Sequence, residues 1–320
     1  MSSSSRSLVL GFAAGLPAAS LYPFADSLRG SGYQGRFGLI TAKSSEEQRR
    51  ACSELADLHW DVDELYAEFH VPKWEVSVLR RLRSTRGLRR AYAPAFKALA
   101  RHTTERRSLA KWTALEYALE GLQSLRYGLY YDFIRRFAPD ADQVLICDLR
   151  DVIFQSDPFD PPVKGLELFL EDPESRIESN TFTGRWVADL AGRQRQSDLS
   201  RQVVSCSGTT AGDLASMLHY LREMSIAVAW RRLPLGPHDQ GIHNLLLHEG
   251  RFPEAKVSTN DDGRVFTMGL SSVVRRDEAG RVLNATGRLP AVIHQYDRYP
   301  DLALDLQSSL AAAAGRTVPG

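Results

Sequence analysis

The chain contains 320 residues, of which 43% are hydrophobic and 25% are charged, and its formal net charge is +1. This composition is typical of a globular protein with a sizeable core, and a net charge near zero does not indicate a nucleic-acid or membrane partner. Three scattered cysteines, Cys52, Cys147 and Cys206, are too few for a disulfide framework or a zinc site, and they suit a reducing compartment.

The N-terminal segment allows two interpretations. SLVLGF at 7–12 is apolar and follows a single arginine, so it partly resembles a signal peptide. Its apolar run is short, and Gly11, Gly15 and Pro17 interrupt the continuation, which favours a first buried strand. No other segment approaches the roughly 20 apolar residues that cross a bilayer. We therefore expect a cytoplasmic protein without a transmembrane segment.

Strand-like and helix-like segments alternate along the rest of the chain. The predicted strands lie at 7–12, 36–40, 143–148, 166–171, 202–206 and 291–294. The predicted helices lie at 21–30, 45–58, 108–137, 211–224 and 239–248. This alternation predicts an α/β fold with a mostly parallel central sheet flanked by helices.

The region 251–290 has a different pattern, with short segments separated by turns at Gly263 and Gly280. Such spacing predicts small antiparallel hairpins attached to the main sheet. No linker rich in proline, serine or glycine divides the chain. We therefore expect a single domain over 1–305, followed by a C-terminal tail at 306–320.

A basic stretch from Arg80 to Lys111 contains eleven lysines and arginines and one acid, Glu105. A solvated helical face explains a charge run of this kind, and a landing surface for an acidic acceptor, a phosphate or a membrane is the alternative. The stretch lacks the interleaved aromatic residues of a platform that binds single-stranded nucleic acid.

The segment VLICDLRDVIFQSDPF at 144–159 carries two carboxylates at the end of a buried strand. Asp148 ends the strand and Asp151 follows three residues later. Ligands of open α/β sheets bind at the carboxyl ends of strands, and two such carboxylates can share Mg²⁺ or Mn²⁺. A bound cation would in turn bind a diphosphate. The alternative is an ordinary strand exit, in which Asp148 caps a turn and Asp151 pairs with Arg150 or a surface lysine.

Three further segments place polar or small residues where strands end or helices begin. Asp239 and Gln240 stand at the start of a predicted helix, where an acid can also be a cap. Ser207 and Gly208 follow a predicted strand, and small residues there let a ligand approach the backbone. His294 ends the last predicted strand, and histidine is either a metal ligand or a structural residue at such a position.

The order of these segments resembles that of GT-A glycosyltransferases, the glycogenin-like retaining group in particular. The resemblance extends from about Leu8 to Pro300, and the segments DLRDVIFQSDPF and HQYDRYP also resemble bacterial members of this superfamily. It implies a Rossmann-like GT-A fold and a glycosyltransferase that moves a sugar from a nucleoside diphosphate sugar, of UDP or GDP type, to an acceptor. Mn²⁺ or Mg²⁺ is the implied metal.

The resemblance also implies roles for individual residues. Asp148, Asp151 and His294 would bind the metal. Asp239 and Gln240 would lie beside the transferred sugar as catalytic residues. The nucleotide-sugar donor would contact the first strand, the helix before the acidic motif, the small-residue turn and the C-terminal segment, through Phe12, Ala13, Arg126, Asp148, Ser207, Gly208 and Arg298.

The chain departs from the family pattern at three points. The acidic motif has one extra residue between its carboxylates, and we favour Asp151 as the main metal ligand. Ser205 or Cys206 stands where the family has an asparagine. A lysine usually follows the late histidine, and Arg298 is the nearest cation here. The segment ESNTFTGRWVADLAG at 178–192 would lie over the site, with Asn180 and Trp186 as candidates for binding the acceptor or, for Trp186, for helix packing.

Two other enzyme classes need residues that the corresponding segments of this sequence lack. A sugar nucleotidyltransferase would need arginine and lysine in its N-terminal loop, and residues 9–24 contain neither. A haloacid-dehalogenase-type phosphatase would need a threonine after its acidic motif, which DLRDVIF does not supply. The alternatives are a catalytically inactive GT-A-like protein that binds nucleotide sugars or acts as a scaffold, and a sugar nucleotidyltransferase.

Overall fold

The computed structural model describes residues 6–42, 44–63, 126–228, 238–269 and 274–316, together with a few single positions between 74 and 85. Most of the basic stretch and the first part of the predicted helix 108–137 lie outside these residues. The elements in chain order are β1 (Ser7–Phe12), α1 (Tyr22–Gly30), β2 (Arg36–Thr41), α2 (Glu46–Leu55), β3 (Leu58–Asp61), α3 (Arg126–Phe137), β4 (Gln143–Cys147), β5 (Val152–Phe154), β6 (Leu166–Leu170), α4 (Thr181–Ala191), α5 (Arg193–Asp198), β7 (Ser205–Asp213), α6 (Leu214–Val228), α7 (Asp239–His248), β8 (Lys256–Ser258), β9 (Val265–Thr267), β10 (Arg275–Arg276), β11 (Val282–Leu283), β12 (Val292–His294) and α8 (Pro300–Ala313).

Seven strands form a central sheet in the order β3-β2-β1-β4-β7-β6-β8. All neighbouring pairs are parallel except those of β7, which is antiparallel to both β4 and β6. A second sheet has the order β5-β12-β9, and β10 and β11 form a hairpin. The predicted α/β class, with a mostly parallel central sheet, flanking helices and small antiparallel elements, is confirmed.

The central strands are buried on both faces, as their continuous apolar sequences predict. In β1, Leu8 and Leu10 point to a core that contains Phe133 of α3, whereas Val9 points to the opposite core, which contains Phe24 of α1. Each large side chain that is fully buried contributes roughly 1.5–3 kcal/mol of transfer free energy. The sheet is therefore held from both sides by helices.

Three segments differ from the sequence-based prediction. β7 covers residues 205–213 rather than 202–206, because its small residues are buried between β4 and β6, and α6 begins only at Leu214. The predicted tail at 306–320 begins inside α8, which has Pro300 in its first turn. This helix packs Leu302 and the half-buried Leu306 and Leu310 against the second sheet.

The two predicted turns in 251–290 have different roles. Gly280 has a left-handed backbone (φ 79°) and forms the turn of the β10–β11 hairpin, as predicted. Gly263 instead lies between β8 of the central sheet and β9 of the second sheet, so this turn connects two sheets. The short strands β3 and β5 were not predicted, because four and three residues are too few for a periodic signal.

The strand directions bring distant segments to one edge of the central sheet. The parallel strands β1 and β4 end at this edge with Phe12 and Cys147. Because β7 is antiparallel to β4, its first residues lie at the same edge, and the Asp148 backbone N–H donates to the Gly208 carbonyl at 2.8 Å. None of the described helices is long and apolar enough to span a bilayer.

Candidate active site

The two carboxylates of the acidic motif are positioned by different sheets. Asp148 directly follows β4 of the central sheet. Asp151 directly precedes β5 of the second sheet, and its carbonyl accepts a hydrogen bond from the Gln295 backbone N–H at 2.7 Å. His294 of β12 pairs with Val152 of β5, so it lies beside Asp151. The two residues between Asp148 and Asp151 therefore span the passage from one sheet to the other.

Asp148, Asp151 and His294 place three potential metal-ligand atoms within 4.8 Å of one another. The Nε2 atom of His294 is 3.9 Å from Oδ2 of Asp148 and 3.7 Å from Oδ1 of Asp151. Ligand atoms about 2.0–2.3 Å from one divalent cation lie roughly 3–4 Å apart, so this spacing fits a shared ion. A donor set of two carboxylates and one imidazole suits a divalent cation.

The side chain of His294 supports this fit. It is 1% exposed, and its Nε2 atom is buried without a hydrogen-bond partner among the described residues. A buried imidazole nitrogen without a partner is unfavourable unless a ligand satisfies it. Its other nitrogen, Nδ1, lies 3.6 Å from the Cys206 sulfur, which helps to fix the ring. These residues could therefore hold a divalent cation through Nε2 and the two carboxylates.

Burial raises the pKa of the Asp151 carboxyl, with Asp148 and Asp297 acting in the same direction and His294 acting against them. Two neighbouring carboxylates in a partly desolvated site repel each other, so their ionised forms need a compensating positive charge. A divalent cation at Nε2 of His294 would supply that charge.

Arg126 connects the first carboxylate with Asp239. Its Nη1 atom donates to Oδ1 of Asp148, and its Nη2 atom donates to Oδ2 of Asp239 at 2.7 Å. Burial lowers the pKa of the Arg126 guanidinium, but Asp148 and Asp239 outweigh this effect and hold it well above its usual range. Tyr127 also donates to Oδ2 of Asp239, at 3.4 Å. Hydrogen bonds of Arg126 thus connect the start of α3 with the start of α7 and with the end of β4.

Gln240 is held in a separate polar network next to Asp239. Its side-chain amide donates to Glu171 at 3.1 Å and to Thr183 at 2.9 Å, and its carbonyl oxygen accepts from the Ser207 backbone N–H at 3.4 Å. Sequence reasoning missed Glu171, although it follows directly after a strand in the same way as Asp148. The position of an acid directly after a buried strand was the signal that could have found it.

One pocket, with a volume of about 520 Å³, collects most of the sequence-predicted site residues. The candidates that line it are Phe12, Arg126, Asp148, Asp151, Ser207, Gly208, Asp239, Gln240, His294 and Arg298, and the acceptor candidates Asn180 and Trp186 line it as well. Ala13 is fully buried and does not line the pocket. Its carbonyl accepts from the Gln48 side chain at 2.5 Å.

Asn180 and Ser205 are both held by hydrogen bonds within the protein. Asn180 caps α4 by accepting from the Thr183 backbone N–H at 3.0 Å, and its amide donates to Ser175 at 3.1 Å. Ser205 is buried, and its hydroxyl lies 2.8 Å from His243. Of the two residues that stand where the family has asparagine, only Cys206 lines the pocket.

Gly208 is required by the close approach of the metal-ligand side chains. A Cβ at this position would lie 2.6 Å from Oδ2 of Asp148 and 2.7 Å from Cε1 of His294. We expect Gly208→Ala to displace both side chains and to weaken Mn²⁺ binding by roughly 10- to 100-fold, the range seen when metal-ligand orientation is disturbed. Isothermal titration calorimetry measures this change.

Gly212→Ala in the same strand is the matched control, because its Cβ would meet other atoms no closer than 3.3 Å. Its Mn²⁺ affinity should equal that of the wild type. Equal affinities in Gly208→Ala and wild type would remove Asp148 and His294 from the ligand set.

No family model matches this chain, and no curated protein matches its sequence significantly. Among solved structures, an active-site mutant of LgtC is similar over 98% of this chain and 97% of its own, with 15% identity and a TM-score of 0.49. The galactosyltransferase LgtC in complex with donor and acceptor sugar analogues has the same coverage, 16% identity and a TM-score of 0.46. A transferase mutant covers 80% of this chain and 89% of its own, with 12% identity and a TM-score of 0.38.

With TM-scores below 0.5, these likenesses do not assign the chain to a family. The function proposed below therefore rests on the residues of the pocket and their geometry.

Proposed function

We propose that the protein is a metal-dependent glycosyltransferase that moves a sugar from a nucleoside diphosphate sugar to a nucleophile of an acceptor. One observation carries the proposal: the candidate metal ligands Asp148, Asp151 and His294 share a pocket with the paired residues Arg126 and Asp239. A site that binds the metal and the diphosphate therefore lies next to buried polar groups that can face the sugar.

The reaction breaks the bond between the anomeric carbon and the diphosphate oxygen, and the electron pair leaves with the nucleoside diphosphate. An acceptor oxygen or nitrogen forms the new bond to the anomeric carbon and releases its proton to solvent water. A divalent cation, when bound, supplies the charge that neutralises the departing diphosphate. Proton transfer to the leaving group is then unnecessary.

The protein's own residues bind and orient the donor in this proposal. Asp148, Asp151 and His294 hold the cation, with the Nδ1 side of the imidazole fixed by Cys206. Arg126 and Arg298 line the pocket and add positive charge where the diphosphate lies. Phe12, at the end of β1, offers an apolar surface to the nucleotide. The donor is a nucleotide sugar of UDP or GDP type.

Asp239 stabilises positive charge at the anomeric carbon. Its carboxylate is held by Arg126 and Tyr127, so it is fixed before substrate binds. Gln240 is fixed by Glu171 and Thr183 and can donate or accept a hydrogen bond at the sugar. The glycogenin-like resemblance of the sequence favours retention of the anomeric configuration. An inverting reaction would instead require Asp239 to take the proton of the acceptor.

A donor panel without acceptor tests this function. The purified protein is incubated with UDP- and GDP-sugars and Mn²⁺ or Mg²⁺, and released nucleoside diphosphate is measured. We expect slow release from one donor class through hydrolysis, and no release when EDTA removes the metal. Binding without release would favour the inactive nucleotide-sugar-binding alternative. Absence of both metal-dependent binding and release across the panel would overturn the proposal.

A further inference from the structure

Two aromatic side chains on α4 lie at the mouth of the pocket. Phe182 and Trp186 are four residues apart, so they occupy the same face of the helix. Their ring centroids are 5.9 Å apart with an interplanar angle of 40°, and both residues line the pocket. The Phe182 side chain is 70% exposed. An exposed phenylalanine at this place contributes little to the core and offers a flat apolar face to a ligand.

The position of this aromatic pair is fixed by the start of α7. A Cβ at Gly241 would lie 2.7 Å from the Cβ of Trp186, so the glycine lets α4 approach α7 closely. The imidazole of His238 also lies near the indole, with ring centroids 6.0 Å apart. Because Gly241 follows Asp239 by two residues, the aromatic pair is held at a defined distance from the residue that faces the anomeric carbon.

The charges around the pocket differ between its two sides. On α4, Arg185 and Asp189 form an exposed pair at 3.8 Å, so the helix adds no net charge next to the aromatic rings. The cations that line the pocket come from other elements: Arg126 of α3 lies between Asp148 and Asp239, Arg150 is paired with Asp297, and Arg298 follows β12, where the diphosphate is proposed to lie. Among the described residues of α4, no unpaired cation stands next to the aromatic rings to bind a phosphate or a carboxylate. An uncharged ligand complements this side of the pocket.

We propose that Phe182 and Trp186 form a stacking platform that holds a neutral pyranose ring of the acceptor beside Asp239. The C–H face of the ring packs on the aromatic side chains, and its hydroxyl groups face the polar end of the pocket, where Glu171 and Gln240 lie. This inference rests on the proposed glycosyltransferase function. It makes the acceptor a neutral glycan and gives Trp186 a binding role in addition to its packing against α7.

A printed array of neutral and acidic glycans tests the platform in the presence of Mn²⁺ and the nucleoside diphosphate that binds. Wild-type protein should bind neutral glycans. Phe182→Ala should weaken that binding by roughly 5- to 30-fold, as expected from the loss of about 1–2 kcal/mol of aromatic contact. Leu304→Ala, which removes a side chain of α8 that is 60% exposed, is the matched control and should bind as the wild type does.

A second variant tests the placement of the platform. Gly241→Ala pushes Trp186 away and should also weaken glycan binding. Binding of acidic glycans only, absence of glycan binding in the wild type, or equal binding in Phe182→Ala would each overturn the platform. The donor panel separates the two failures, because an incorrect function gives no metal-dependent nucleotide binding in the wild type, whereas an incorrect platform leaves that wild-type result unchanged.

Discussion

Replacement of Asp151 by asparagine is expected to weaken Mn²⁺-dependent binding of the nucleoside diphosphate by about 100-fold, because one of two charged ligands is lost. The same change should not lower the stability of the metal-free protein. Burial raises the pKa of this carboxyl, so its charged form is unfavourable without a cation, and asparagine removes that charge at almost the same volume. Binding is measured by calorimetry, and stability by thermal unfolding in EDTA.

Asp297→Asn is the matched control for this prediction. Asp297 is a nearby carboxylate, but it pairs with Arg150 at 3.4 Å and is not one of the three clustered ligands. It should retain Mn²⁺-dependent binding. Full-strength binding in Asp151→Asn, or a clear loss of metal-free stability in that variant, would contradict the assignment of Asp151 as a metal ligand.

Replacement of Arg126 by methionine is expected to lower the free energy of unfolding by about 3 kcal/mol and to abolish donor turnover. Removal of one partner from a buried ion pair leaves uncompensated charge, which costs about 3–5 kcal/mol. The lower end applies because the Asp148 side chain is 35% exposed and partly solvated. Urea denaturation measures the loss of stability, and release of nucleoside diphosphate measures the activity.

The double variant Arg126→Met with Asp239→Asn separates charge from packing. It removes one of the two carboxylates that Arg126 compensates, so part of the lost stability should return while the activity stays absent. Arg6→Met is the control, since its pair with Asp142 is exposed and should contribute less than about 1 kcal/mol. Equal losses of stability in the single and the double variant would show that packing, and not charge, explains the effect.

The fold class could be predicted because its strands are continuous apolar segments with clear ends. β1, β2 and β4 were placed within one residue of their observed bounds, and α7 was placed at its observed residues. β7 could not be placed from local sequence, because glycine, serine and threonine indicate a turn unless neighbouring strands bury them. The helix α8 was missed because alanine and serine near a C-terminus resemble a frayed end.

The sequence predicted that the site residues lie close together because most of them stand at strand ends, although they are far apart in the chain. Asp148 and His294 are far apart in the chain, yet each stands at the end of a strand, and residues 148–151 bring the end of β4 in the central sheet beside the end of β12 in the second sheet. Sequence could not predict the contact between Arg126 and Asp239, because it depends on how two helices start above the sheet. The sequence also could not predict that Ala13 is buried in the core. Its neighbours Phe12 and Ala14 both line the pocket, and nothing in this apolar segment distinguishes Ala13 from them.

The passage between the two sheets at residues 148–151 has a consequence for the stability of the protein. One of the clustered ligands is carried by the central sheet and two by the second sheet, so an ion bound there would fasten the two sheets together. Occupancy would then stabilise their docking by RT ln(1 + [ion]/Kd), about 2.7 kcal/mol at a concentration 100 times the Kd. The docking of the second sheet on the central sheet would therefore depend on the ion concentration through the same three side chains.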